Sequence, residues 1–399
     1  MDLSRAIEVP ILGKLFRIFG ISFARHPCQG TPSTSHIDSP IKKLPPELIL
    51  LIVDYVPVVS GASLSLTCHS FYSSLKRRCL YSLKQAGDPA ILEFLDCLER
   101  DLPTHVVCPS CVQLHAISAA KKYHPLLQAA STSRHELACW HRDWTSELNR
   151  GTYAEFSSIV FHMAMKSYRH SHQTTQLLRL LSCGSQKFDN WGFVDRRTAE
   201  ARIQDGSLLL REQRVLMVPS SEEIPLPWCG GIDICPHIQF LTMPSLHIYG
   251  IQVPRASQIE KFENRQGLMC CNHCHTEFRV DFKSYGKAGN AMFLTRWMDI
   301  GEGQNFDDYK FTNRFGSVKE ISWSEVAFRR GSICASFEQQ PSEAFKFDSL
   351  LSHQDEKNLC ERNPWPWPEG RTVSFSGVKQ YYVVQDGRFN FLPSEEAAI

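Results

Sequence analysis

Two Cys-x-x-Cys pairs stand out in a chain whose fifteen cysteines are odd in number and unevenly spread. Cys108-Pro109-Ser110-Cys111 and Cys271-Asn272-His273-Cys274 each hold two thiols on one side of a tight turn, the separation that a tetrahedral zinc with Zn–S of about 2.3 Å requires. One pair is half a site. For the first, Cys139 and His141 are the nearest completion, with His115 in reserve. For the second, Cys235 and His237 of a Cys-Pro-His run are the expected partners. Cys270, His273 and His275 crowd the second pair, so the spacing alone leaves the ligand subset open. Cysteine dominates both sets and no carboxylate stands at ligand spacing, so the expected cofactor is structural zinc in closed sites with no position left for water. The competing reading is a set of buried thiols acting as small hydrophobes. Redox catalysis is disfavoured, because neither pair lies between a strand and a helix in a βαβ pattern.

Arithmetic separates the first cluster from a RING. Cys108-x2-Cys111-x27-Cys139-x-His141 fits the first half, but the second half then needs a Cys where Trp144 and Thr145 stand. A ligase acting by itself is therefore not expected. Enzymatic motifs are equally scarce: there is no Gly-x-Ser-x-Gly elbow, Walker loop, His-Glu-x-x-His or Gly-x-Gly-x-x-Gly after a strand. The sixteen histidines sit in no nucleophile context, and Glu222-Glu223 and Asp307-Asp308 read as solvated loops. The chain is expected not to be an enzyme.

The elements that position these residues follow from pattern. At 399 residues there is room for two or three domains. A formal net charge of +1 offers no global field to draw nucleic acid or an acidic membrane, and no apolar run is long enough for a membrane helix. Reduced thiols without a secretory leader point to cytoplasm or nucleus. The apolar stretch Ile11–Phe23 reads as a lead-in, since Asp2 and Glu8 count against a presequence, and Ser, Thr, Pro and Gly from His26 to Pro40 mark a linker. A helical pattern with Ile91, Leu92, Phe94, Leu95 and Leu98 fills Gly87–Leu102, and Ile159, Val160, Met163, Leu177, Leu178 and Leu181 are core candidates in Ala154–Leu181. After Gly206 the pattern turns to strands: Ser207–Val218, Leu246–Val253, Thr276–Phe282 and, after a turn at Lys287–Asn290, Ala291–Met298. Asp386-Gly387 between Gln380–Val384 and Arg388–Phe391 is a hairpin signal. Gly331–Arg371, with Trp365 and Trp367 between prolines, reads as an irregular excursion. No fixed period is present, which disfavours solenoids and propellers. The expected fold class is α+β: a flexible segment over 1–40, a small helical domain over 41–86, a helical region with the first cysteine cluster over 87–205, and a β-rich domain with the second over 206–399.

The small helical domain carries the most specific signal. Leu44-Pro45-Pro46-Glu47-Leu48 opens a helix in whose first turn proline costs no hydrogen bond; Leu48, Leu51, Ile52, Tyr55 and Val56 follow at helical spacing, and Pro57 closes it. Val58–Ser63 reads as a turn, and the next helix carries Leu64, Phe71 and Leu75 inward, with Lys76, Arg77 and Arg78 near its end. Leu44, Ile49 and Leu50 are left over, more apolar surface than so small a unit can bury alone. The Leu-Pro-x-Glu-Leu opening and the Leu66-x-Cys68-x-x-Phe71-x-x-x-Leu75 block resemble an F-box, over roughly Ile41 to Arg78. Tyr55, where Leu is usual, and His69, where a basic residue is usual, depart from the pattern. With Cys-Pro-x-Cys-x-x-Leu-His, Cys-Pro-His and Cys-x-x-Cys before an aromatic strand, the chain also resembles filamentous-fungal F-box proteins. The resemblance implies binding to a Skp-type adaptor in a cullin-based ubiquitin ligase, through Leu44, Pro45, Leu48, Ile52, Leu66 and Phe71, with the C-terminal region receiving a substrate protein. The alternative is a zinc-stabilised interaction module whose F-box serves a non-degradative complex; whether a bound partner is ubiquitinated separates the two.

Overall fold

Prolines set the start of the first unit. Pro46 stands in the first turn of α1 (Pro46–Tyr55), Pro57 caps α2 (Val58–Leu66), and α3 (His69–Ala86) is parted from α4 (Asp88–Asp101) by Gly87, whose φ of +83° lies in the left-handed region that a glycine adopts freely. The computed structural model describes residues 41, 44–123, 156–188, 194–218, 232–241, 243–245, 248–250, 268–286, 289–315, 322, 324–339, 380–385 and 388–392. They divide into two compact units, one running to Val107 and including Val112–Ala116, the other formed by Cys108–Cys111 and the chain from Ile117 on.

In the first unit, α3 presents Phe71, Leu75 and Cys79 to Ile49, Leu50 and Val53 of α1, with Ile41, Leu64 and Cys68 around them. A second cluster joins Val59 and Ala62 of α2, Leu83 of α3 and Phe94 and Leu95 of α4 to Val107 and Leu114 of the hairpin β1 (His105–Cys108) and β2 (Gln113–Ala116). The expected turn at Val58–Ser63 is a helix. Its buried residues are Val59, Gly61, Ala62 and Ser65, a mostly small stripe, and Ser63 and Ser65 donate their hydroxyls to helix carbonyls of Val59 (2.9 Å) and Ala62 (2.6 Å). Close packing on this stripe overrides the weak local propensity of its serines and glycine. The helix expected in Gly87–Leu102 is α4.

The second unit is built on a six-stranded antiparallel sheet in the order β10 (Met269–Cys270), β11 (Thr276–Ser284), β12 (Asn290–Gly301), β5 (Ser207–Val218), β4 (Val194–Gln204), β3 (Cys183–Phe188). β4 and β5 meet at Asp205-Gly206, both at positive φ, a turn whose twist suits a two-residue hairpin. All of β12 except Asp299 is buried, which fits its nearly continuous apolar run. Helices α5 (Ser158–Arg169) and α6 (Thr175–Leu180) bury Ile159, Val160, Met163 and Leu177. A smaller sheet has the order β14 (Arg388–Leu392), β13 (Gln380–Gln385), β7 (Ile238–Leu241), β6 (Ile232–Cys235), in which β13 runs parallel to β7; β8 (Met243–Ser245) and β9 (Ile248–Gly250) form a separate hairpin. Short α7 (Tyr309–Phe315) packs by β12. The start of the expected irregular excursion is helix α8 (Ser332–Glu338), fastened by its own apolar residues: Ile333, Cys334 and Phe337 pack on Leu209 and Trp297. The chain is thus a helical N-terminal unit followed by sheets and helices, the α+β class expected from its pattern.

Candidate functional site

Two features carry chemistry: an apolar stripe on α1 and a buried cluster of sulfur and imidazole. Helix α1 is apolar on both sides. Ile49, Leu50 and Val53 face the core, whereas Leu48, Leu51, Ile52 and Tyr55, at i, i+3, i+4 and i+7, are 45%, 51%, 39% and 83% exposed. The face that periodicity alone would turn inward is therefore the outer one. Arg78 of α3 pairs with Asp54 at the exposed edge of this contact. Of the residues that the resemblance marks for an adaptor, Leu48 and Ile52 lie on the stripe and Pro45 is exposed; Leu44 is half-buried. Phe71 is 4% exposed inside the core of the unit, and Leu66 packs half-buried against the second cluster, so these two shape the domain from within. Leu51 and Tyr55 belong to the stripe and were absent from that set, although the same spacing contains them.

The cluster is assembled by two hairpins. The β6–β7 turn carries Cys235 and His237; the turn between β10 and β11 carries Cys271 and Cys274. One ligand atom from each of the four lies within 4.8 Å of every other, and all four residues are buried. These are the four residues read from the sequence for the second site. Cys270 and His275 are not among them, and His275 stacks on Phe328 with ring centroids 5.3 Å apart. His237 faces the Ser322 carbonyl through Nε2 at 3.0 Å; a carbonyl only accepts, so Nε2 carries the proton and the lone pair, the donor a metal would need, is on Nδ1. The His273 amide donates to Cys271 Sγ at 3.3 Å, and Cys274 Sγ lies 3.2 Å from the Thr276 hydroxyl.

The sulfurs are electrostatically divided. Burial opposes ionisation of Cys274, yet hydrogen bonds from Cys235 and Cys271, the Arg314 guanidinium and the Thr276 hydroxyl outweigh it and hold this thiol well below its ordinary range. Cys271, hydrogen-bonded to Cys235 and Cys274 and buried with them, is pushed up. Three sulfurs and one imidazole converging in a buried site match the donor set of tetrahedral structural zinc. Cys108 and Cys111 also bring their sulfurs within 4.8 Å of each other. Cys139 and His141 lie outside the described residues.

Residues 41–83 match the F-box domain, a span that holds α1, α2 and most of α3. No curated protein and no solved structure matches the chain. An F-box domain implies binding to a Skp-type adaptor and supports a role, in general terms, in SCF-type ubiquitin ligases. Matched in sequence and folded as proline-opened helices that show an apolar stripe outward, this segment is an F-box domain.

Proposed function

We propose that this protein is a substrate-receptor subunit of a cullin-based ubiquitin ligase. It holds the Skp-type adaptor through the outer stripe of α1, with Pro45 beside it, and receives a substrate protein through its β-rich C-terminal region. The observation that carries the reading is the stripe Leu48, Leu51, Ile52 and Tyr55, exposed on a helix whose other side is already committed to the core. Few apolar anchors usually carry most of an interface's energy, and an aromatic at 83% exposure beside three aliphatics is of that kind. Replacement of Leu48 and Ile52 by Asp is expected to abolish pull-down of a Skp-type adaptor with an unchanged melting temperature. Undiminished pull-down would overturn the reading.

The C-terminal unit is read as stapled by structural zinc at Cys235, His237, Cys271 and Cys274, with a second site at Cys108 and Cys111. Its role is to recognise a partner rather than to catalyse, in the cytoplasm or nucleus where thiols stay reduced. The resemblance to filamentous-fungal F-box proteins belongs to the same proposal. No helix among the described residues is long and apolar enough to cross a membrane. Metal per chain after purification without added zinc is expected to be at least one, falling by one in the double variant Cys271→Ser, Cys274→Ser. Zero metal, with the variant as heat-stable as the parent, would make these residues plain buried thiols.

A further inference from the structure

Two adjacent residues of α7 reach both halves of the Cys235/His237/Cys271/Cys274 cluster. Asn313 donates through Nδ2 to the His273 carbonyl, inside the Cys271–Cys274 turn, and accepts through Oδ1 from the Ser322 amide at 2.8 Å. Ser322 is the residue whose carbonyl accepts the hydrogen bond from His237 Nε2–H. Arg314 is 3% exposed; its Nη1 and Nη2 each lie 3.2 Å from the carbonyl of Ile234, the residue before Cys235, and Nη1 lies 3.4 Å from the Thr276 hydroxyl. That hydroxyl is in turn 3.2 Å from Cys274 Sγ. Every ligand or its immediate backbone is thus touched by Asn313 or Arg314 directly or through one intermediary.

Charge gives the arrangement its meaning. A divalent ion with three thiolates and a neutral imidazole carries a net charge of about −1, and a buried net charge is costly unless an opposite one lies beside it. Close by, Arg296 is directly paired with Glu212, and it shares the Ile234 carbonyl with Arg314 at 2.8 Å. The Arg314 guanidinium stands one hydroxyl away from Cys274 Sγ, through Thr276, so its positive charge lies beside the sulfurs, where it offsets the excess of the loaded site.

We propose that Asn313 and Arg314 are the positioning residues of a closed tris-thiolate centre for a divalent metal, Asn313 fixing the His237 imidazole and the Cys271–Cys274 turn and Arg314 supplying the compensating charge. This rests on the zinc reading given under Proposed function.

The test is competition for Zn²⁺ between the purified full chain and a chromogenic chelator. Arg314→Met, which keeps bulk and removes charge, is expected to weaken zinc retention about 10- to 100-fold, the usual effect of losing an outer partner. Arg314→Lys, which keeps the charge, is expected to restore most of it. Asn313→Ala is expected to weaken zinc and to alter the ligand-field bands of the Co²⁺-loaded chain. Should Arg314→Met fail to fold, Thr276→Val, which cuts the link from Arg314 to Cys274, is expected to weaken zinc in the same direction. Retention by Arg314→Met or Thr276→Val equal to the parent's would overturn the proposal, as would equal losses in the Met and Lys variants. A parent chain that takes up no zinc would instead sink the metal reading itself.

Discussion

His162 shows how far one residue's surroundings can set its chemistry. It lies in α5 with its ring centroid 4.8, 3.7 and 5.1 Å from those of Phe161, Phe306 and Phe311, and its Nδ1 donates to the Gly303 carbonyl at 3.2 Å. Burial lowers its pKa from 6.5 to about 3, opposed by that hydrogen bond. The unfolded chain therefore takes up a proton here below about pH 6.5 that the fold refuses, so the stability contributed by the neutral ring is complete above pH 6.5 and falls steadily down to about pH 3. Between pH 6.5 and 4.5 the loss is on the order of 2 to 3 kcal/mol. His162→Gln is expected to remove that part of the acid sensitivity in urea unfolding at the two pH values; equal losses in parent and variant would contradict it. At this scale the sequence was legible where identity and local spacing are the chemistry. Cys271, Cys274, Cys235 and His237 were candidates from type and separation, with Cys270, His273 and His275 left open beside them, and the fold brings ligand atoms of the four within 4.8 Å of one another. Thr276, Asn313, Arg314 and Ser322 were not, because nothing in their type or spacing distinguishes them until the backbone carries them to the sulfurs.

Elements were legible in proportion to how much of their pattern is local. Strand β5 was expected over Ser207–Val218 and forms over those residues. The orientation of α1 was not readable, since a helix apolar on two sides offers periodicity to both, and the choice is made by Phe71, Leu75 and Cys79 of a later helix. Helix α8 was hidden by polar neighbours and declares itself only in its contacts. The amides of Gly331 and Cys334 donate to buried Glu277, Trp297 Nε1 donates to Glu338 at 2.7 Å, and Arg202 and Arg211 lie 4.5 and 5.1 Å from the centroid of the Phe337 ring. Phe337 is fully buried. Phe337→Ala is expected to cost roughly 3 to 5 kcal/mol, seen as a lower urea midpoint at unchanged slope. A loss under about 1 kcal/mol would show that the Arg211–Glu338 ion pair and the backbone contacts of this helix, not the ring, hold it to the sheet.

For the whole molecule, the near-zero net charge and the absence of a fixed repeat narrowed the field, and residues 41–83 named the class. The C-terminal unit has no matched relative, and there physical argument goes as far as the Cys235, His237, Cys271 and Cys274 cluster and its supports. The central claim is that the outer stripe of α1 links this chain to a cullin-based ligase. Affinity purification of the tagged full chain from cells, read by mass spectrometry, tests it most directly beside the double variant Leu51→Asp, Tyr55→Asp. Skp-type adaptor and cullin peptides are expected with the parent and lost with the variant, while peptides of proteins held by the C-terminal region persist in both. Adaptor and cullin peptides in equal amounts from parent and variant, or in neither, would contradict the account.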